Sequence, residues 1–538
     1  MVIKRSSWSI PYLVFLILFV VVPLGLILVY AFLDGSGHFT LDNIAKFFQD
    51  KDSLQTFALS IEIAIENTAI CLLLGYLIYG SFVEKVFGPN RDNQMPCYQK
   101  QDGVDYMPMT PWRVYLVQFL NIAGTGPIFG AIMGILFGPA AYLWIVMGCI
   151  FAGSVHDYMS GMICVRKGGL SLPEIIGDEL GSSMRMAMRV FSPVLLVLAG
   201  TVFVTTPAAL LENMAPLNNA WGWVSIIFLY YILATLLPID KLIGKVYPLF
   251  GCALLIMAAG LLFHIYYSEG HVPELTEAPF VSHSPKDLPL FPMLCITIAC
   301  GAISGFHGTQ SPLMARCMTN EKYGRPIFYG AMISEGVVAL VWAAAAVKFA
   351  DSLPGEGTAY QKLAAMGNPS VVVSTVCSSW MGAVGSILAV LGVVAAPITS
   401  GDTCFRSARL IAADVFGLSQ KTLPKRLLLC LPLFAISCCL LFLDFDVLWR
   451  YFAWTNQTLG CITLWAATVW LDKRQKNYWI TFIPAVFMTC VCTSYILVAK
   501  EGFQIDYSTG LYIGLVMAAA SFGAFLGSHY RNKKRTTE

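Results

Sequence analysis

Charge is scarce in this 538-residue chain: Asp, Glu, Lys and Arg make up 12% of it, against 57% apolar residues. A soluble domain usually carries about 25% charge. The 34 basic and 32 acidic residues nearly cancel, which leaves no basic stripe for nucleic acid and no acidic tail. Paired Cys-x-x-Cys sets are also missing. The 16 cysteines are scattered through apolar segments without histidines at zinc-ligand spacing, so they read as small buried hydrophobes. Neither a nucleophile with a nearby base nor a metal-ligand cluster stands out, as a membrane-embedded enzyme would need. The stretches between apolar runs are only loops, whereas a membrane nutrient sensor would usually carry a soluble output domain.

What the chain has is a succession of apolar runs long enough to cross a bilayer at ~20 residues per span. The first, 9–33, follows Lys4 and Arg5 and exceeds a signal-peptide core, so it reads as a retained span. Further runs near 59–82, 112–137, 139–164, 190–211, 221–240, 246–268, 291–309, 327–349, 377–401, 426–443, 448–471, 478–498 and 508–530 predict an all-α polytopic membrane protein of about fourteen helices. Basic residues fall in alternate loops, Arg166/Lys167/Arg185/Arg189 and Lys473/Arg474/Lys476 among them, which predicts cytoplasmic amino and carboxy termini. The Pro-rich loop Lys85 to Pro111 reads as a solvated linker or a partner-docking segment.

Asn121-Ile-Ala-Gly-Thr-Gly-Pro127 lies inside the third run. Two glycines and a proline there remove helical preference and a backbone donor. Broken backbone at membrane depth is tolerated only against protein or a water-filled cavity, and it marks solute sites in secondary transporters. Five runs later Gly301-Ala-Ile-Ser-Gly-Phe-His-Gly-Thr-Gln-Ser-Pro312 repeats the interruption. Five is odd, so the second broken helix runs the other way. The layout predicts a LeuT-like core of two inverted five-helix repeats, 112–268 and 291–471, with broken first helices and an outer loop at 269–290 between them. Residues 1–111 add two helices and a loop, and 472–538 add two helices and a basic tail. The alternative is that each glycine cluster is a close helix-packing seam.

Amides freed near Ala123, Gly124, Thr125 and Gly126 suit a carboxylate at a half-helix N-terminus. Ser304, Gly305, Phe306 and His307 at the second break, with Asn456 and Gln457, complete the candidate solute site; the two amides could equally hold helices together. Intramembrane ionisable groups each cost about 2.5–3.5 kcal/mol at a helix centre. His156, Asp157, His307, Glu335 and Asp402 are therefore candidates for proton coupling or gating, with helix anchoring as the alternative, and Arg406 one turn after Asp402 as its gate partner. Glu62 and Glu66 meet headgroups or outer water. Ala396, Thr399 and Ser400, at the inner end of the 377–401 run, offer a carbonyl and two hydroxyls to Na+, with carbonyls of Ala123 or Ile122; the alternative is an ordinary helix end.

The strings Ile122-Ala-Gly-Thr-Gly-Pro-Ile128, Val155-His-Asp157, Ser171-Leu172, Gly301 to His307, Ala396 to Thr403 and Phe452-Ala-Trp-Thr-Asn-Gln457 closely resemble the carbon starvation protein A family, in one order from about Asp105 to Gln457. The resemblance implies an inner-membrane proton-coupled carrier made when carbon is scarce, with pyruvate as substrate for some members and peptides proposed for others. Many members have a histidine pair where this chain has Val117-Gln118, and a Ser/Thr/Lys-rich stretch where it has Gly308 to Ala315. Members are often longer, so the chain resembles a compact branch. The expectation is a symporter of a short carboxylate such as pyruvate, with H+ first and Na+ second as coupling ion and no prosthetic group. An oligopeptide or amino acid carrier is the alternative.

Overall fold

The computed structural model describes residue 40 and residues 70–537 other than 104, 216, 218–219, 237–238, 276–279, 285–286, 419 and 421. The 9–33 run, the beginning of the next run and Glu62 and Glu66 lie outside the described residues. Residues 70–537 belong to one compact unit, Ile65–Glu538.

Among the described residues the regular structure is helical throughout. Helix α1 is Ile70–Phe87; α2 (Pro111–Ile122) and α3 (Gly126–Phe137) form a pair bent by 43°. Next come α4 (Ala140–Arg166), α5 (Leu172–Leu180), α6 (Ser182–Met214), α7 (Trp221–Leu236) and α8 (Ile239–Tyr267). A second broken pair follows, α9 (Leu290–Thr297) and α10 (Gly305–Ala315). After it run α11 (Glu321–Ser352), the short α12 (Ala359–Ala365), α13 (Pro369–Leu388), α14 (Ala395–Phe416), α15 (Leu423–Leu440), α16 (Phe445–Lys473), α17 (Trp479–Val498) and α18 (Tyr507–Thr537). Nine described helices are long and apolar enough to cross a membrane, ten if the bent pair counts as one span. Burial sorts them by position. The most apolar windows of α11 and α4 are 83% and 78% buried, so both lie inside the bundle, whereas α18 at 22% and α1 and α15 at 28% present their apolar side chains outward, as lipid-facing helices do.

The two repeat starts are visible as the two broken pairs. Proline at the start of α2 and of α3 fixes where each half begins, because its missing N–H falls among donors that have no intrahelical partner there. Between the halves Ala123 leaves helical geometry, at φ −81° and ψ 43°.

Two sequence expectations change. The run expected at 377–401 is a helix that starts beyond Gly382 and continues through a π-helical turn, Ala389–Val394, to Phe416. Gly382 has φ 57° and ψ −140°, a conformation essentially open only to glycine. Polar residues from Asp402 onward suggest a membrane boundary in the sequence. In the fold Asp402, Arg406 and Arg409 are buried at 2%, 4% and 1% exposure, and the helix runs on past them. Ala396, Thr399 and Ser400 thus stand near its beginning and middle rather than at its inner end.

The loop after α1 is also no free linker. Asn90 and Asn93 bond the Glu321 carboxylate at 2.7 and 2.8 Å, Cys97 Sγ donates to the Met318 carbonyl at 3.1 Å, and Lys100 Nζ donates to the Gly168 carbonyl at 2.8 Å. Arg166 joins Glu321 at 2.7 Å, and Lys167 and Lys473 meet Glu179 at 2.9 and 3.0 Å. This basic end of the bundle is therefore laced shut by partners far apart in sequence. The loop 268–288 is irregular where described, and His283 stacks on Tyr360 of α12 with ring centroids 4.4 Å apart.

Candidate functional site

The two breaks meet inside the bundle. A Cβ at Gly126 would collide with Cys300, so glycine there is what lets the first break approach the second. Phe203 of α6 packs edge-on against Phe306 and Phe452, with centroids 5.6 and 6.0 Å apart, and walls the side nearest Gly124. Ala123, Thr125, Ser304, Phe306 and His307 are all buried, so the candidate solute residues of both breaks do converge.

The ionisable residues assemble further than their sequence positions suggest. His156 Nδ1 lies 2.8 Å from Asp157 Oδ1, and His307 Nδ1 lies 2.9 Å from Asp157 Oδ2. On its other side His307 Nε2 faces Glu335 Oε2 at 3.5 Å. Glu335 Oε1 accepts the Gly301 amide at 3.0 Å. One chain of groups, His156, Asp157, His307 and Glu335, thus crosses from α4 through the second break to α11, with every side chain at 0% exposure. Ser160 and Ser311, 3.2 Å apart, extend the polar seam between α4 and α10. Neither serine stands out in sequence; spacing of four from His156 and from His307 was the available signal. Asp402 sits on a separate helix, α14, and Arg406 reaches the Ala234 carbonyl at 3.3 Å and Asp105 at 3.7 Å.

Asn456 has a task that the sequence offered only as an alternative. Its Oδ1 accepts the Phe306 amide at 2.6 Å and the Ser304 hydroxyl at 3.1 Å, which caps the start of α10 from α16. Gln457 Nε2 donates to the Cys295 carbonyl at 3.2 Å and ties α16 to α9. Both amides therefore hold the broken helix in place.

Of the oxygens named for Na+, the Ser400 hydroxyl meets the first half-helix, at carbonyls one to three residues before those expected. Ser400 Oγ donates to the Leu120 and Asn121 carbonyls at 3.2 and 3.1 Å rather than meeting Ile122 or Ala123, and Thr399 Oγ1 donates to its own Ala396 carbonyl at 2.8 Å. The chain could also offer Cys300, His307 and Glu335, whose ligand atoms lie within 4.8 Å of one another. His307 is already flanked by a carboxylate at each ring nitrogen, and a proton is the simplest charge to share there.

A cavity of about 530 Å³ adjoins the second break at Ile296 and Thr297, lined by the far end of α3, by α12 and by the starts of α13 and α16, with Ala453 on its wall. Asp444, Asp446, Trp449 and Arg450 give it polar and aromatic lining.

Two broken helices, each opening a bundle of five, with a buried titratable chain at their meeting place, define a LeuT-like membrane transporter. The solved structure of MhsT in complex with L-phenylalanine shares this fold, with a TM-score of 0.50 and 14% identity over 77% of this chain and 98% of that one. The chain belongs to the carbon starvation protein CstA family, whose pattern it matches over residues 62–218, 208–356 and 350–495. An uncharacterized membrane protein of Haemophilus influenzae is 46% identical over 52% of this chain and 88% of its own length. The peptide transporter CstA of Escherichia coli is 25% identical over 94% of this chain and 88% of its own. The pyruvate/proton symporter BtsT of the same organism is 25% identical over 50% of this chain and 46% of its own. The named relatives are transporters and not enzymes.

Proposed function

We propose that this protein is a proton-coupled symporter of the inner membrane, with cytoplasmic termini, that imports a small carboxylate-bearing nutrient by alternating access. The observation that carries the reading is the buried chain His156–Asp157–His307–Glu335 at the second break. Fully buried ionisable groups in a membrane bundle are costly unless they pair, and they are the usual parts of proton relays. His307 belongs to the half-helix α10 and Glu335 to the continuous α11. A proton on His307 Nε2 holds imidazolium against carboxylate. Passing it to Glu335 Oε2 leaves imidazole beside carboxylic acid, and the attraction that joined α10 to α11 is gone. Glu335 also accepts the Gly301 amide, so its protonation weakens a bond to the break itself. The proton is thereby linked to the geometry of the solute site.

The solute's carboxylate would lie at the start of α3, near Thr125 and Gly126, where a helix N-terminus favours an anion. Pyruvate fits the close approach of the two breaks and the activity named for BtsT. Short peptides are the second reading, favoured by the 530 Å³ cavity with acidic and basic lining and by the Escherichia coli relative that spans nearly the whole chain. Na+ at Ala396, Thr399 and Ser400 is the second coupling ion.

Uptake of labelled pyruvate and dialanine into proteoliposomes, with proton and sodium gradients imposed separately, tests all of this. Accumulation under the proton gradient alone, abolished by a protonophore, is the expected result. Accumulation under sodium alone would move coupling to Ser400 and Thr399, and no accumulation of either solute in folded protein would sink the symporter reading.

A further inference from the structure

Buried carboxamides normally have their donors and acceptors paired, because a lone polar atom away from water retains its full desolvation cost. Gln118 and Asn121 break that pattern. Both are at 0% exposure, and all four of their side-chain polar atoms lack a hydrogen-bond partner. Elsewhere around the site Gln310 and Gln457 each keep one atom bonded, and Asn456 is fully engaged. Three residues apart on α2, Gln118 and Asn121 share one helix face. Four residues further, across the break, the Thr125 hydroxyl is likewise buried and unpartnered. Five unpartnered polar atoms thus lie within eight residues of chain that span the end of the first half-helix and the break, where Ser400 engages the Leu120 and Asn121 carbonyls.

We propose that Gln118 and Asn121, with Thr125, are the solute-recognition face of the transporter, and that they select solutes that donate as well as accept hydrogen bonds. The inference rests on the transport reading above and, of its two solute readings, favours the short peptide over pyruvate. Each carboxamide offers two N–H donors and a carbonyl acceptor. The donors match a carboxylate or carbonyl oxygen of the solute. The acceptors match a solute that carries a donor, such as an amino group, a peptide amide or a hydroxyl, and a keto acid leaves them bare. A site built to bond such a group rejects an analogue without it far more strongly than an apolar wall could.

The test uses Gln118→Leu and Asn121→Leu in the full chain, with thermal stability and the kinetics of dialanine and pyruvate uptake measured together. If the pair is held ready for solute, leucine removes unpaired polar atoms, so the solute-free variants melt at the same or a higher temperature than wild type. Their KM for dialanine rises at least tenfold, the KM for pyruvate changes less, and proton-driven accumulation persists at saturation. If the carboxamides are structural, the leucine variants melt lower and both solutes are affected alike, which overturns the proposal; so does an unchanged KM for dialanine. Stabilisation by added dialanine is read on the same samples. A wild type that accumulates nothing yet is stabilised by dialanine, with the effect lost in Gln118→Leu, would end the symport reading and sustain the recognition face.

Discussion

Asp157 is the residue on which the buried chain turns, because its two oxygens serve His156 and His307 at once. Asp157→Asn keeps the shape and removes the shared anion. Breaking a buried ionic set by losing one partner costs about 3–5 kcal/mol, so the variant should melt earlier and lose uphill accumulation while solute exchange continues. Unchanged accumulation would show that the chain is an anchor. Asn456→Ala should act on stability instead: it strips the cap from α10 and costs about 1–2 kcal/mol, measured as a lower thermal midpoint with the coupling ratio intact. Cys97 gives a third check, outside the membrane helices. Burial pushes its thiol up to about 11, so below that pH the unreactive protonated form dominates. Alkylation of Cys97 should be slow at neutral pH in the folded protein and quicken as pH rises toward 11 or when the loop is released.

At the scale of elements the glycines decide how close helices come. Gly126→Ala adds a methyl where Cys300 stands, and overpacking of this kind costs about 1–3 kcal/mol. The loss should be largely restored by Cys300→Gly in the same chain, since the collision is with that side chain. Absence of rescue would mean that Gly126 serves backbone freedom rather than approach. The break at 123–125 was legible in the sequence, for Gly, Thr, Gly and Pro in succession cannot sustain a helix. The extent of α14 was not, because buried Asp402, Arg406 and Arg409 look like surface residues until their packing is seen.

For the whole molecule, the alternating access proposed above requires that the basic end open. There Arg166, Asn90 and Asn93 converge on Glu321. Glu321→Gln removes the charge that gathers them, and it should favour the form open at that end. Faster maleimide labelling of Cys97 and Cys317 in the variant than in wild type, at a temperature where both remain fully folded, is the expected outcome. Equal labelling would place the closure elsewhere.

The sequence by itself determined the membrane class, the two broken helices and every member of the buried chain, because scarce charge, helix-breaking residues and an ion in an apolar run each carry a cost visible in one dimension. It could not determine their partnership. His156 and Asp157 lie about 150 residues from His307, and Glu335 lies on another helix, so which groups share a proton depended on how the helices pack. The same holds for Gln118, marked in the sequence only as a departure from a histidine pair, and for Asn121, which looks ordinary there. Only the tertiary structure shows that their polar atoms are buried without partners, since hydrogen-bond satisfaction is a property of surroundings and not of residue type.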